Sequence, residues 1–300
     1  MTADHILVIG FGGPEKAADI RPFLEQVTRG IPIPSSRLDE VAHHYEAIGG
    51  RSPYNDHARR LVEKLTATTA SLPVFLGMRN WHPFLKNVLG EIKGRGLKKG
   101  IGVILAAQRS DASYDRYLRA VEEAKQAAGA VEVTYEYLKP WFDHPLFIEA
   151  QASRLQETVT HLGGVQRLTD SHVIFTAHSI PLEMAEKSQY AQEIHTSASL
   201  VAKSLGVSRW SVAYQSRSGS PRQPWLEPDI LTKLRELKAK GGKSVLVVPI
   251  GFVSDNAEVL YDLDIEARRE AHQLGLEYAR ASTVMDHPKF VAMFVELLQV

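Results

Sequence analysis

The chain of 300 residues contains no cysteine. That excludes disulfides, zinc–thiolate sites and cysteine-ligated iron–sulfur clusters within it. It has no surplus of either charge: 35 Lys and Arg residues balance 35 Asp and Glu residues. A nucleic-acid partner held by bulk positive charge is therefore not expected, and any charged site must be local. No run approaches the roughly 18 apolar residues of a spanning helix. The N-terminus, MTADHILVIGFGG, has no basic segment ahead of a long apolar stretch and reads as a first strand rather than a signal peptide. A cytoplasmic monomer is the expectation. Low-complexity segments and charge blocks are absent too. What remains is an ordinary globular composition, 44% apolar and 23% charged, enough for one large core or two medium ones.

Eight short apolar runs are present: ILVIG (6–10), VFLGM (74–78), IGVILAA (101–107), VEVTYEY (131–137), HVIFTAH (172–178), WSVAYQS (210–216), SVLVVPI (244–250) and LEYARA (276–281). Several are continuously apolar, as parallel strands buried on both faces are. Helical periodicity lies between them at 56–70, 114–128, 151–162, 191–205, 228–240, 262–274 and 288–298. Alternation of this kind predicts an α/β fold with mostly parallel sheets. Four strands precede residue 140 and four follow it, and KPWFDHP (139–145) reads as a crossing. Two domains, 1–140 and 141–300, are expected, with the last helix packing back on one half. The halves share a pattern and no detectable sequence repeat.

Open α/β sheets bind ligands at the carboxyl ends of their strands. There the sequence places FGGPE (11–15), RNWHP (79–83), QRS (108–110), HSIP (178–181), RSGSPRQPWLEPD (217–229) and FVSDNAE (252–258). His178, Arg217, Trp225, Glu227 and Glu258 are expected to converge on a cleft. The FGGPE glycines lack dinucleotide or P-loop spacing and read as a tight turn. His178 reads either as a hydrogen-bonded histidine at the core edge or as a neutral imidazole able to take a proton or meet a metal. Trp225 could be loop packing, yet aromatics and arginines around a cleft also suit a flat, apolar ligand carrying carboxylates.

The segment after the seventh run carries Asp255, Glu258, Asp262, Asp264 and Glu266. Asp255 and Glu258 fit a capping box, with Asp255 as N-cap. Glu258, Asp262 and Glu266 are spaced i, i+4, i+8 and share a helix face. Like charges at that spacing repel by about 0.2–0.5 kcal/mol a pair. The stripe is either a solvated acidic face or a path of oxygen ligands for a hydrated cation. Joined by His178, it would suit Fe²⁺ better than Mg²⁺.

At these residues the sequence resembles the ferrochelatase family. The matching segments run in order along nearly the whole chain: FGGPE, YEAIGGRSP (45–53), GMRNWHP (77–83), FTAHSIP (175–181), YQSRSGSPRQPWLEPD (214–229) and PIGFVSDNAEVLYDLD (249–264). The resemblance implies two Rossmann-like, chelatase-like domains, each with a parallel four-stranded sheet, and an active-site cleft between them. It implies insertion of Fe²⁺, as substrate, into a porphyrin, coproporphyrin III or protoporphyrin IX, with no permanently bound cofactor and no iron–sulfur cluster. It makes His178 the site histidine and Glu258 its partner across the porphyrin. Asp262 and Glu266 become an acidic ridge carrying metal or protons, so that His178, Glu258, Asp262 and Glu266 form the metal path. Phe11, Arg29, Ser52, Gln108, Ser110 and Trp225 are the implied porphyrin contacts. Three positions depart from the family's pattern: Phe11 stands where many bacterial members have tyrosine, and Gln108 and Asn256 stand where histidine is common.

Two other readings compete. One is a tetrapyrrole chelatase acting on sirohydrochlorin with cobalt or iron, which lacks the YQSRSG…PWLEPD segment. The other is a porphyrin- or haem-binding protein without catalysis. A weak peripheral membrane contact through IPIP (31–34) is a further expectation.

Overall fold

The computed structural model describes residues 3–69, 72–164, 166–218 and 222–299. They form two compact units. The first holds residues up to 105, 113–140 and those from 291 onward; the second holds 106–112 and 141–290.

The first unit begins with β1 (His5–Gly10), whose residues are all buried, as its continuous apolar run requires. Then come α1 (Ile20–Val27), α2 (Ser35–Ala47), α3 (Tyr54–Thr68), β2 (Val74–Met78), α4 (Leu85–Gly94), β3 (Lys99–Ile104), α5 (Tyr114–Ala128) and β4 (Thr134–Tyr137). All strand pairs are parallel, in the order β2-β1-β3-β4. The second unit runs α6 (Pro145–His161), α7 (Gln166–Asp170), β5 (His172–His178), α8 (Leu182–Glu186), α9 (Tyr190–Ser204), β6 (Trp210–Gln215), α10 (Ile230–Ala239) and β7 (Ser244–Val248). A π-helix (Val259–Ala267), α11 (Arg268–Gln273) and β8 (Glu277–Arg280) complete it. Its strands are also parallel, ordered β6-β5-β7-β8. The last helix, α12, spans Pro288–Leu298. The α/β class and the eight strands are as the sequence indicates.

The two sheets have the same strand order, and a shared device accompanies it. Lys93 at the end of α4 donates to the carbonyl of Gly129, just past α5, at 2.6 Å. Lys238 on α10 does the same to Gly275, just past α11, at 3.4 Å. In each unit, the helix after the second strand caps the helix after the third, where unsatisfied carbonyls favour a cation. The repeat that the sequence does not show survives in these contacts.

Several helices differ from the periodicity. α6 starts at Pro145 rather than 151, because proline suits a helix start and His144 accepts from the Leu146 amide. α10 starts at Ile230, with Asp229 as N-cap accepting from Leu231 and Thr232. The pattern at 262–274 is two elements, the π-helix and α11. Helix α3 ends at Thr68, and Ala70 of its expected span lies outside the described residues, as do Gly219, Ser220 and Pro221 of the 214–229 segment.

One glycine brings the acidic segment up to the strand that carries His178. Gly251 donates to the Thr176 carbonyl at 3.0 Å. A Cβ there would lie 2.6 Å from that of Ala177. Only a residue without a side chain lets the chain leaving β7 press on β5 so closely.

Candidate active site

His178 is the last residue of β5, and its register partner on β6 is Gln215. Its carbonyl accepts from the Tyr190 hydroxyl at 3.0 Å. Its Nδ1 donates to the Ser179 carbonyl. That leaves Nε2 facing the Glu258 carboxylate, 3.5 Å away. The two residues stand side by side in one unit. The reading that placed them on opposite faces of a flat ligand is corrected by this distance, which leaves no room for a ring between them.

The geometry also revises the expected protonation. Burial opposes charge on the His178 ring, but the Glu258 carboxylate outweighs it, aided by the Ser179 carbonyl and Asp262. The imidazole pKa is pushed up to about 9. Beside Glu258 the His178 ring is thus favoured in its protonated, ion-paired form at neutral pH.

The five acids divide by partner. Arg280, at the end of β8, grips Asp264 through two bonds of 2.8 and 2.7 Å and Asp255 through a third of 3.1 Å. Asp264 also accepts from Arg268 at 3.3 Å. Asp255 and Asp264 are therefore structural anchors that brace the two ends of the segment. The expected capping box is not formed. The N-cap is Asn256, whose Oδ1 accepts from the Val259 amide at 2.9 Å and whose carbonyl accepts from Leu260 at 3.0 Å. Asp255 is drawn off by Arg280, and Glu258 is turned to His178. Asn256, one of the three departures from the family's pattern, thus serves as the helix cap.

Asp262 accepts a hydrogen bond from Ser216. Burial pushes its pKa up, the neighbouring charges of Glu258 and Glu266 add to this, and the Ser216 bond opposes it; the result is about 7. Ser216 lies at φ 61°, a left-handed conformation uncommon outside glycine. Glu266 is half-buried on the same π-helix. Among the described residues, no three His, Asp or Glu side chains stand where they could hold a metal ion together. The four residues expected to bind metal are one close pair with two further carboxylates along the helix.

Asp262 supplies a stability test. The folded-state value of about 7 lies above the ordinary 3.8. Proton binding to the native chain therefore contributes stability that is fully present below pH 4 and lost as pH rises through 7. We expect Asp262→Asn to raise the melting temperature at pH 8 and to change it little at pH 5. Thermal unfolding across that range checks this; an effect of equal size at both ends would contradict it.

The expected substrate contacts have diverse surroundings. In the first unit, Phe11 packs edge-on against Phe23, centroids 6.3 Å apart, under the Arg79 guanidinium at 5.7 Å. Arg29 is exposed just past α1. Ser52 is buried against Gly13. Three of the FGGPE amides are occupied: Phe11 donates to the Tyr54 hydroxyl and Gly13 to Asn55, both at 3.0 Å, and Glu15 to Asp19 at 3.2 Å. In the second unit, Gln108 and Ser110 are buried, and Gln108 donates to Ser197 at 3.3 Å. Trp225 is buried in a strand-like pairing with Pro181, directly after the His178 turn, and its indole N–H has no partner. Arg217 is exposed and bonds the Gln223 carbonyl.

Sequence reasoning passed over Gln215, Ser216, Tyr190 and Arg280. Gln215 and Ser216 stood at a strand end in the YQSRSG run, where position alone could have marked them. Arg280 could have been suspected as a cation ending a strand beside five acids.

The family model for ferrochelatase matches residues 3–300. The coproporphyrin III ferrochelatase of Mycobacteroides abscessus is 40% identical over 305 residues, covering 99% of this chain and 88% of the relative. The ferrochelatase of Rhodopirellula baltica is 39% identical over 301 residues, covering 99% of this chain and 85% of the relative. Among solved structures, SirB from Bacillus subtilis with Fe³⁺ aligns at a TM-score of 0.63 and 12% identity, covering 99% of this chain and 95% of that one. At that identity the likeness concerns the fold alone.

Proposed function

We propose, because the chain belongs to the ferrochelatase family, that it inserts Fe²⁺ into coproporphyrin III at the His178–Glu258 pair. It is a lyase of haem biosynthesis that metallates a porphyrin. The choice of coproporphyrin III is supported by relatives of that name at 39–40% identity. The observation that carries the site assignment is the 3.5 Å approach of His178 Nε2 to Glu258 at the strand ends.

Metallation requires the dication to shed water and two pyrrole N–H protons to leave. Glu258, Asp262 and Glu266 supply oxygen donors and negative charge suited to drawing in hydrated Fe²⁺. A cation arriving at Glu258 competes with the imidazolium for that carboxylate. Loss of this partner lowers the affinity of His178 for its Nε2 proton, which leaves to Asp262 or to water, and the bare Nε2 can then contact the metal or take a pyrrole proton. Asp262, at about 7, can pass protons in either direction near neutral pH. Iron is cargo in this scheme, not a resident cofactor, and a chain without cysteine has no cysteine-ligated cluster. Among the described residues no helix is long and apolar enough to cross a membrane.

The test is anaerobic steady-state metallation by Fe²⁺, followed by absorbance, with coproporphyrin III and with protoporphyrin IX. We expect the higher kcat/KM with coproporphyrin III. A preference for protoporphyrin IX would overturn the substrate, and no metallation of either would overturn the activity.

A further inference from the structure

Gln215 touches the backbone on both sides of the ion pair. Its own carbonyl accepts from the amide of Ser179 at 2.8 Å. Ser179 is the residue whose carbonyl orients the His178 ring. The Gln215 side-chain amide donates to the carbonyl of Glu258 at 3.0 Å. Its Cα is the register partner of His178 across β5 and β6. One residue is thus bonded to the turn that aims the imidazole and to the residue that supplies the carboxylate.

The side chain is 3% exposed, and its Oε1 is buried without a hydrogen-bond partner. A buried carbonyl left unpaired is a cost that an apolar side chain of the same volume would not carry. Packing alone therefore does not account for glutamine here. The donor does, because Glu258 begins the segment where the α-turn gives way to the π-helix. Departures from regular helix of this kind cluster at functional sites and need support from outside the helix. The next residue, Ser216, repeats the arrangement one turn along by donating to Asp262 from a left-handed backbone.

We infer that Gln215 is a positioning residue: by holding the Glu258 carbonyl with its side chain and the Ser179 amide with its backbone, it sets the separation of Glu258 from His178. The inference rests on the proposed reaction for its kinetic consequences, though not for its structural one. It does not require Gln215 to touch iron or porphyrin.

The test uses the full chain carrying Gln215→Met, which keeps length and bulk and removes the donor. We expect kcat for Fe²⁺ insertion to fall about tenfold, the KM for porphyrin to change less than twofold and the KM for Fe²⁺ to rise. Gln215→Asn, which keeps a donor on a shorter arm, should retain more activity than Gln215→Met. In a Glu258→Gln background the Met substitution should add less than about twofold, since residues acting through one another are not additive. Crystal structures of the wild type and the variant should show the His178–Glu258 separation widened beyond 3.5 Å, a readout that stands even if the chain metallates no porphyrin. If Gln215→Met does not fold, Gln215→Leu, which also lacks the donor and carries no titratable group, takes its place. An unchanged separation, or a full multiplicative loss in the Glu258→Gln background, would overturn the inference.

Discussion

Replacing His178 with alanine is expected to lower the rate of Fe²⁺ insertion by about 10²–10⁴-fold, the range for losing a positioned acid–base group, while porphyrin affinity, read by fluorescence quenching, stays within about threefold. The ring's Nδ1 is committed to the Ser179 carbonyl, so Nε2 is its only reactive edge, and that edge faces Glu258. Alanine removes it and leaves the carboxylate 45% exposed, where water can solvate it. The fold should survive for that reason. Its stability should nonetheless change with pH in a defined window. A folded-state value of about 9 against an ordinary 6.5 means the ion pair's contribution is fully present below pH 6.5 and lost as pH rises through 9. The alanine variant should be less stable than the wild type at pH 6.5, and the gap should close towards pH 10. Turnover like that of the wild type would remove His178 from the mechanism.

The second large effect concerns stability. Arg280→Leu is expected to destabilise the chain by about 3 kcal/mol, the lower end of the cost of breaking a buried ion pair by removing one partner. Its side chain is 9% exposed, and it is bonded to Asp264 and Asp255, at 25% and 19%. Without it, two carboxylates are left partly buried beside the other acids of the segment. The corresponding fall in melting temperature is roughly 6–12 °C for a unit of this size, measurable by circular dichroism. Adding Asp264→Asn should recover part of the loss, because it removes one of the stranded charges. A loss below 1 kcal/mol, the size of a surface pair, would show that Arg280 does not brace the acidic segment.

These two residues mark where the sequence is legible and where it is not. The strands could be read because their apolar runs are continuous and their ends are punctuated. The closeness of His178 and Glu258 could be read because strand ends gather side chains in this architecture. Helix α4 was missed because LKNVLGEIKG carries two glycines, which weaken the helical signal. Helix α1 was missed because Pro22 interrupts its pattern near the start. The cap fell one residue from its expected place because Asp and Asn cap equally well. What separated Asp255 from Asn256 was Arg280, 25 residues further on and adjacent only through sheet pairing. The i, i+4, i+8 spacing correctly grouped three acids but could not show a π-helix. Nor could it show that Asp264, outside the stripe, is gripped by Arg280 and Arg268 while burial raises the pKa of Asp262, within it, to about 7.

The measurement that bears most directly on the central claim is an anaerobic single turnover with porphyrin and Fe²⁺ both stoichiometric to the chain, in wild type and His178→Ala. The account expects the free-base spectrum to be replaced by that of the metalloporphyrin in the wild type alone, while both chains quench porphyrin fluorescence. Bound porphyrin that stays free-base in the wild type, or that is metallated equally fast in both chains, would contradict it.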